Sequence, residues 1–149
     1  MANSEGTNWK PTNPKDVVGV RKVPFSCLPC GPLAEAAIGM QEGAMKYGRH
    51  NYRDEGVLAS TYYDAVYRHM MDWWEGEDID PDSGLNHITK AMASLVVLRD
   101  GMICNKWIDD RPPVAPEGFF QNLDKLAAEI VDRYPDAKPA FTRLGEEKK

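Results

Sequence analysis

The stretch STYYDAVYRHMMDWWE (residues 60–75), followed by SGLNHITKAMASLVVLRDGMIC (83–104), decides the fold. In the first stretch Tyr63, Val66, Tyr67, Met70, Trp73 and Trp74 recur at i, i+3, i+4, i+7, i+10 and i+11. That spacing returns to one side of a helix, because each residue turns the chain by about 100°. Ser60 suits the N-cap and Gly76 the end of such a helix. In the second stretch Leu85, Ile88, Met92, Leu95, Val96 and Ile103 share one face, while Ala93, Val97 and Leu98 carry the apolar surface round the other side. A helix apolar nearly all round belongs at the centre of a bundle.

Outward from this pair, Leu33, Ala36, Ala37, Met40, Ala44 and Tyr47 predict a helix over 33–47, opened by Pro32 and stopped by Gly48. Leu123, Leu126, Ala127, Ile130 and Val131 predict a weaker fourth helix over about 118–133. Three prolines mark Asp109–Pro116 as a linker. Arg49–Val57 reads as a polar loop, and no convincing strand or internal repeat is present. The expected fold is all-α, a four-helix bundle. An extended arm, 1–32, precedes it, since five prolines between Pro11 and Pro32 disfavour helix. A helical catalytic domain, 33–134, and a mobile tail, 135–149, complete the expected organisation.

The chain has 149 residues, 42% apolar, enough for a single core. A net charge of −5 argues against broad binding to duplex nucleic acid. No run reaches the length of a membrane span, and Met1–Lys10 lack a signal-peptide core, so a cytoplasmic location is expected. Cys27, Cys30 and Cys104 are an odd set without a second CxxC; Cys27-x-x-Cys30 reads as a loop entering the first helix. Met70, Met71, Trp73 and Trp74 gather apolar surface at one helix end, which predicts a homodimer or homotetramer.

The candidate site residues lie off the apolar stripes. Glu35, Glu42 and Lys46 share one narrow face of the first helix, bordered by Ile38 and Met45. They read either as a solvated stripe with a Glu–Lys pair or as an enclosed face whose carboxylates need a counter-charge or a metal. His69 and His87 read either as structural histidines or, with buried carboxylates, as ligands of a metal in the bundle. The acidic run with Glu75 and Asp80 is either a capping loop or further ligation beside His87. The loop 46–53 holds Lys46, Arg49 and Arg53 with Tyr47, Tyr52 and Asn51, a mixture suited to clamping phosphates and stacking a base. Arg68 adds a cation one helix away. Imidazole among carboxylates suits Mn²⁺ as well as Mg²⁺. A GxxxxGK[ST] loop, an adjacent His-Asp doublet and a GxSxG elbow are all missing from the sequence, which excludes three common hydrolytic designs.

An ordered series of motifs then carries a resemblance. It comprises Asn13-Pro14-Lys15-Asp16, Gly43-Ala44-Met45-Lys46-Tyr47-Gly48, Asn51-Tyr52-Arg53, Tyr63-Asp64-Ala65, Arg68-His69, Trp73-Trp74-Glu75-Gly76-Glu77-Asp78, Asp80, and Ser83-Gly84 to His87. Over about residues 13–112 the chain resembles the phage dATP/dGTP diphosphohydrolase family, whose MazZ-type members are related to MazG. The resemblance implies a MazG-like all-α pyrophosphatase, usually oligomeric. It implies cleavage between the α- and β-phosphates of dGTP or GTP to the monophosphate and pyrophosphate, with two or three Mg²⁺ or Mn²⁺ ions. In phages whose DNA carries 2-aminoadenine, such an enzyme supplies dGMP. The pattern departs from MazG relatives, which place ExxE on one helix and ExxD on the next; here Glu35 and Glu42 stand seven apart. The expected ligands are therefore a pool: Glu35, Glu42, His69, Glu75, Asp80 and His87. Glu35 or Glu42 would orient the attacking water, and Lys46, Tyr47, Asn51, Arg53 and Arg68 would hold the nucleotide. The alternative is a phage accessory protein that binds nucleotide or metal without turnover.

Overall fold

The computed structural model describes residues 13–19 and 21–146. Residues 1–12, 20 and 147–149 lie outside the described residues, and with them the first third of the expected arm. The chain forms α1 (Pro14–Gly19), a 3-10 turn (Phe25–Cys27), α2 (Cys30–Tyr47), α3 (Asn51–Glu55), β1 (Val57–Leu58), α4 (Ala59–Trp74), α5 (His87–Ile103), β2 (Trp107–Ile108), α6 (Phe119–Arg133) and α7 (Arg143–Glu146). The architecture is all-α, and the four long helices expected from periodicity are all present. No helix among the described residues is long and apolar enough to cross a membrane.

Two compact units divide at Arg111/Pro112, inside the proline-bearing linker. In the first unit α5 packs along α4 and also against α2. The α2–α5 contact is made by small residues: Gly39 faces Ala93 so closely that an added Cβ would sit 3.1 Å from Ala93 Cβ. Helices can approach this near only where side chains are short. The buried positions of the unit are correspondingly small, chiefly Ala36, Ala59, Ala91 and Ala93 with Val57 and Tyr52, and no large side chain is completely buried among the described residues. The second unit carries α6, whose Phe119, Leu123, Leu126 and Ile130 repeat along one face and remain about half exposed.

Several boundaries differ from the sequence reading. The loop 49–57 contains a turn and a half of helix, α3, because Gly48 at φ 95° and His50 at φ 61° reverse the chain and restart it. Helix α4 begins at Ala59, one residue before Ser60; the Ser60 amide and hydroxyl both bond to Asp110 instead of capping. Helix α5 begins at His87 rather than Ser83, and Asn86 is its N-cap, accepting from the Ile88 amide at 2.8 Å. An antiparallel bridge, Ile79 to Asn86, holds the preceding segment out of helix. Two strands do form: β1 and β2 pair in parallel, Val57 with Trp107 and Leu58 with Ile108. The α4 stripe is also less covered than its spacing predicts, since Tyr63, Tyr67 and Trp74 are all exposed.

Candidate active site

A cleft of about 750 Å³ opens between the C-terminal half of α2 and α5, with residues 48–52 also lining it. Glu42, Lys46, Tyr47, Asn51, Tyr62 and Lys90 line it. Helix α2 brings Glu42 and Lys46 to the same side, one turn apart, and Gly48 ends the helix so that Asn51 and Tyr52 return along the rim.

An ionic triad lines the cleft. Lys46 Nζ lies 2.6 Å from Glu42 Oε1, and Lys90 Nζ donates to Glu42 Oε2. These two ammonium groups, Lys46 first, hold the Glu42 carboxyl below its usual range. The carboxylate is thus fixed and ionised, and the triad carries one net positive charge. Lys90 did not stand out from the sequence, being one charged side chain in the largely apolar run from Ile88 to Leu98 of α5. The usable signal was its i, i+3, i+7 relation to Ala93 and Val97, which line the same cleft.

The other expected site residues fall into three places. Glu35 lies two turns before Glu42 on α2, outside the cleft lining, where its Oε2 accepts from Thr89 Oγ1 at 2.8 Å. The shared face of Glu35, Glu42 and Lys46 is therefore turned in part toward α5 and is not merely a solvated stripe. Arg53 also lies outside the lining. Its guanidinium grips Asp100 of α5 through two bonds, Nε to Oδ2 at 2.6 Å and Nη2 to Oδ1 at 2.9 Å. Arg68 is exposed on α4.

His69 and His87 form the third group. Their Nδ1 atoms are 2.9 Å apart, so one donates and the other accepts, and the accepting ring is neutral. His87 is only 2% exposed, and its Nε2 is buried without a hydrogen bond among the described residues. Glu77 Oε1 is 3.8 Å away, too far for a hydrogen bond. Burial pushes the His69 pKa down, against the opposing pull of Asp80. Asp80 is itself buried; burial would raise its pKa, but the Ser83 hydroxyl and backbone amides outweigh it and keep the carboxyl low. The backbone sets this arrangement: the Asp80 amide donates to Leu85 O at 2.8 Å and the His87 amide to Asp78 O at 3.0 Å. The acidic run is thus a folded turn that delivers His87 to His69. Glu75 is exposed and lines a separate shallow groove of about 300 Å³ with Tyr67, Met70, Met71 and Trp74.

As a metal site the pool does not converge. Among the described residues no three His, Cys, Asp or Glu side chains are grouped to hold an ion. Glu42 is occupied by two lysines, and the histidines spend their Nδ1 atoms on each other. Cys27, Cys30 and Cys104 are free and exposed, and Cys30 opens α2, so the CxxC is a helix entry.

A cleft with a fixed carboxylate, two ammonium groups, exposed tyrosine and an amide suits an anionic ligand that carries a ring. Comparison with known proteins points the same way. The chain is 31% identical over 77 residues to a dATP/dGTP diphosphohydrolase of Salmonella phage PMBT28. The match covers 52% of this chain and 26% of that relative, so the chain spans about a quarter of the relative's length. No solved structure matches. The family model described as dATP/dGTP diphosphohydrolase, N-terminal, matches residues 12–111, which takes in α2 to α5 and the whole cleft. Over that span, well more than half of its length, the chain belongs to the dATP/dGTP diphosphohydrolase family.

Proposed function

We propose that the chain hydrolyses a purine nucleoside triphosphate, dGTP or GTP in preference to dATP, between the α- and β-phosphates, giving the monophosphate and pyrophosphate. The observation that carries this reading is the cleft itself, which joins the Glu42 ionic triad to Tyr47, Tyr62 and Asn51 within one concave surface. Tyr47 is exposed enough to stack on a base, and Asn51 offers both a donor and an acceptor to its edge. The ionised Glu42 carboxylate orients a water toward the α-phosphorus, and Lys46 stabilises charge on the phosphate oxygens. Glu35, Arg53 and Arg68 lie outside the lining.

Dependence on Mg²⁺ or Mn²⁺ is part of this reading on the strength of the family resemblance. Among the described residues the expected donors do not converge on one ion. The same reading places the chain in the cytoplasm of a phage host, in purine deoxynucleotide metabolism. It includes self-association as a homodimer or homotetramer, supported by the exposed Tyr67, Met71 and Trp74 of α4 and Leu95 of α5.

Incubation with dGTP, dATP, dCTP and dTTP, with each metal, tests the reaction. Guanine nucleotides are expected to react fastest and to yield monophosphate and pyrophosphate. Diphosphate with orthophosphate refutes the bond assignment, and a faster pyrimidine refutes the purine assignment. Consumption of only one equivalent per chain marks a binding protein instead. Light scattering that gives a mass of 16.7 kDa at micromolar concentration overturns self-association.

A further inference from the structure

The second lysine of the triad, Lys90, comes from a different helix than Glu42 and Lys46. Lys90 stands on α5 with only 19% of its side chain exposed. Enclosing a lysine there requires a compensating charge. One carboxylate would suffice for one lysine, yet Glu42 is shared by two. The surplus positive charge faces the cleft.

We infer that Lys90 and Lys46 together form a phosphate subsite, in which Glu42 holds both ammonium groups in place until the pyrophosphate portion of the substrate takes them over. This rests on the triphosphate reading of the cleft and adds a residue and a direction to it. An ammonium is a point charge on a flexible stem, and it can move from one oxyanion to another within the same space without a fixed hydrogen-bond geometry. Glu42 thereby has two roles in sequence. It preorganises the lysines in the empty cleft, and once they turn to phosphate its oxygens are free to accept a proton from water. With Glu42 bound to them the two lysines carry a net charge of one in the empty cleft, and a pyrophosphate group supplies the further negative charge they can accept.

Calorimetric titration with inorganic pyrophosphate in the presence of EDTA tests this without metal or turnover. Wild-type protein is expected to bind. Lys90→Met is expected to weaken binding roughly 10- to 100-fold, the range for losing a hydrogen bond to a charged group. Lys90→Arg keeps the charge and is expected to stay within a few-fold of wild type. Glu42→Gln removes the competing anion and is expected to tighten binding, a sign that a purely structural salt bridge does not produce. Circular dichroism verifies that each variant is folded, and the Arg and Gln variants decide the matter if Met does not fold. Unchanged binding by Lys90→Met, weaker binding by Glu42→Gln, or no binding by wild type overturns the subsite. Failure of the triphosphatase reading is separate, since it shows as absence of turnover of every nucleotide by wild-type protein.

Discussion

Two ion-pair clusters tie α5 to the segment before β1, and they are built from different cations. In the cleft, Glu42 is met by two lysines. Outside it, Asp100 is met by Arg53, with the buried Tyr52 hydroxyl alongside. The loop 46–53 contributes to both, Lys46 to the first and Arg53 to the second. A guanidinium locks onto a carboxylate as a planar fork, whereas ammonium groups can exchange partners. The difference separates an arginine that fastens α3 to α5 from lysines available to a ligand, although the sequence presents them as one basic run.

The largest expected effect breaks the comparison on the cleft side. Glu42→Gln is expected to lower kcat by roughly 10²- to 10⁴-fold, the range for losing a general base, while Glu35→Gln, outside the lining, costs only a few-fold. Steady-state kinetics on dGTP checks this, and equal losses for the two would remove the distinction between them.

On the fastened side, Gly101 follows Asp100. An added Cβ there would lie 2.9 Å from Val57 Cγ2 and 3.2 Å from Lys106 O. Gly101→Ala gains about 1 kcal/mol of helix propensity but meets overpacking of about 1–3 kcal/mol, so a net loss of about 1 kcal/mol is expected in denaturant melts. A stabilised variant would show that this junction yields.

Arg53→Ala and Asp100→Ala sharpen the contrast further. If Arg53 only grips Asp100, the two variants change KM for dGTP by the same small factor. A much larger effect from Arg53→Ala alone would place the guanidinium on the phosphates.

The smallest effect is a separation in pH. His69 is held below the imidazole value of 6.5 by burial, so the unfolded chain takes up a proton that the folded chain refuses. Stability therefore declines as pH falls below about 6.5. The Glu42 contribution is present above its unfolded value near 4.5 and disappears as pH falls through the lower, folded value. Acid titration of the melting temperature is expected to show both limbs, with His69→Gln abolishing only the upper one. An unaltered upper limb would assign it to another group.

Helix positions were legible because 3.6-residue periodicity survives even where a stripe is left uncovered, as in α4. The strands were not, since two-residue pairing leaves no period to read, and Val57 and its partner Trp107 are far apart in the sequence. The start of α5 at His87 rather than Ser83 was not legible either, because the bridge from Ile79 to Asn86 is a tertiary effect. Glu42, Lys46, Tyr47 and Asn51 were legible as cleft residues from a shared helix face and its adjoining loop. Lys90 was not, because its partner lies 48 positions away.

The parallel pairing of β1 with β2 closes the α4–α5 hairpin at the end opposite its turn. Val57 N–H donates to Lys106 O at 3.1 Å, and the register continues to Leu58 and Ile108. Residues 57–108 therefore form a ring whose clasp is a few amide bonds, so neither helix can fray independently at that end. Deuterium uptake at Val57 and at the last turn of α5 should rise in concert, reporting one opening event for the clasp and both helices.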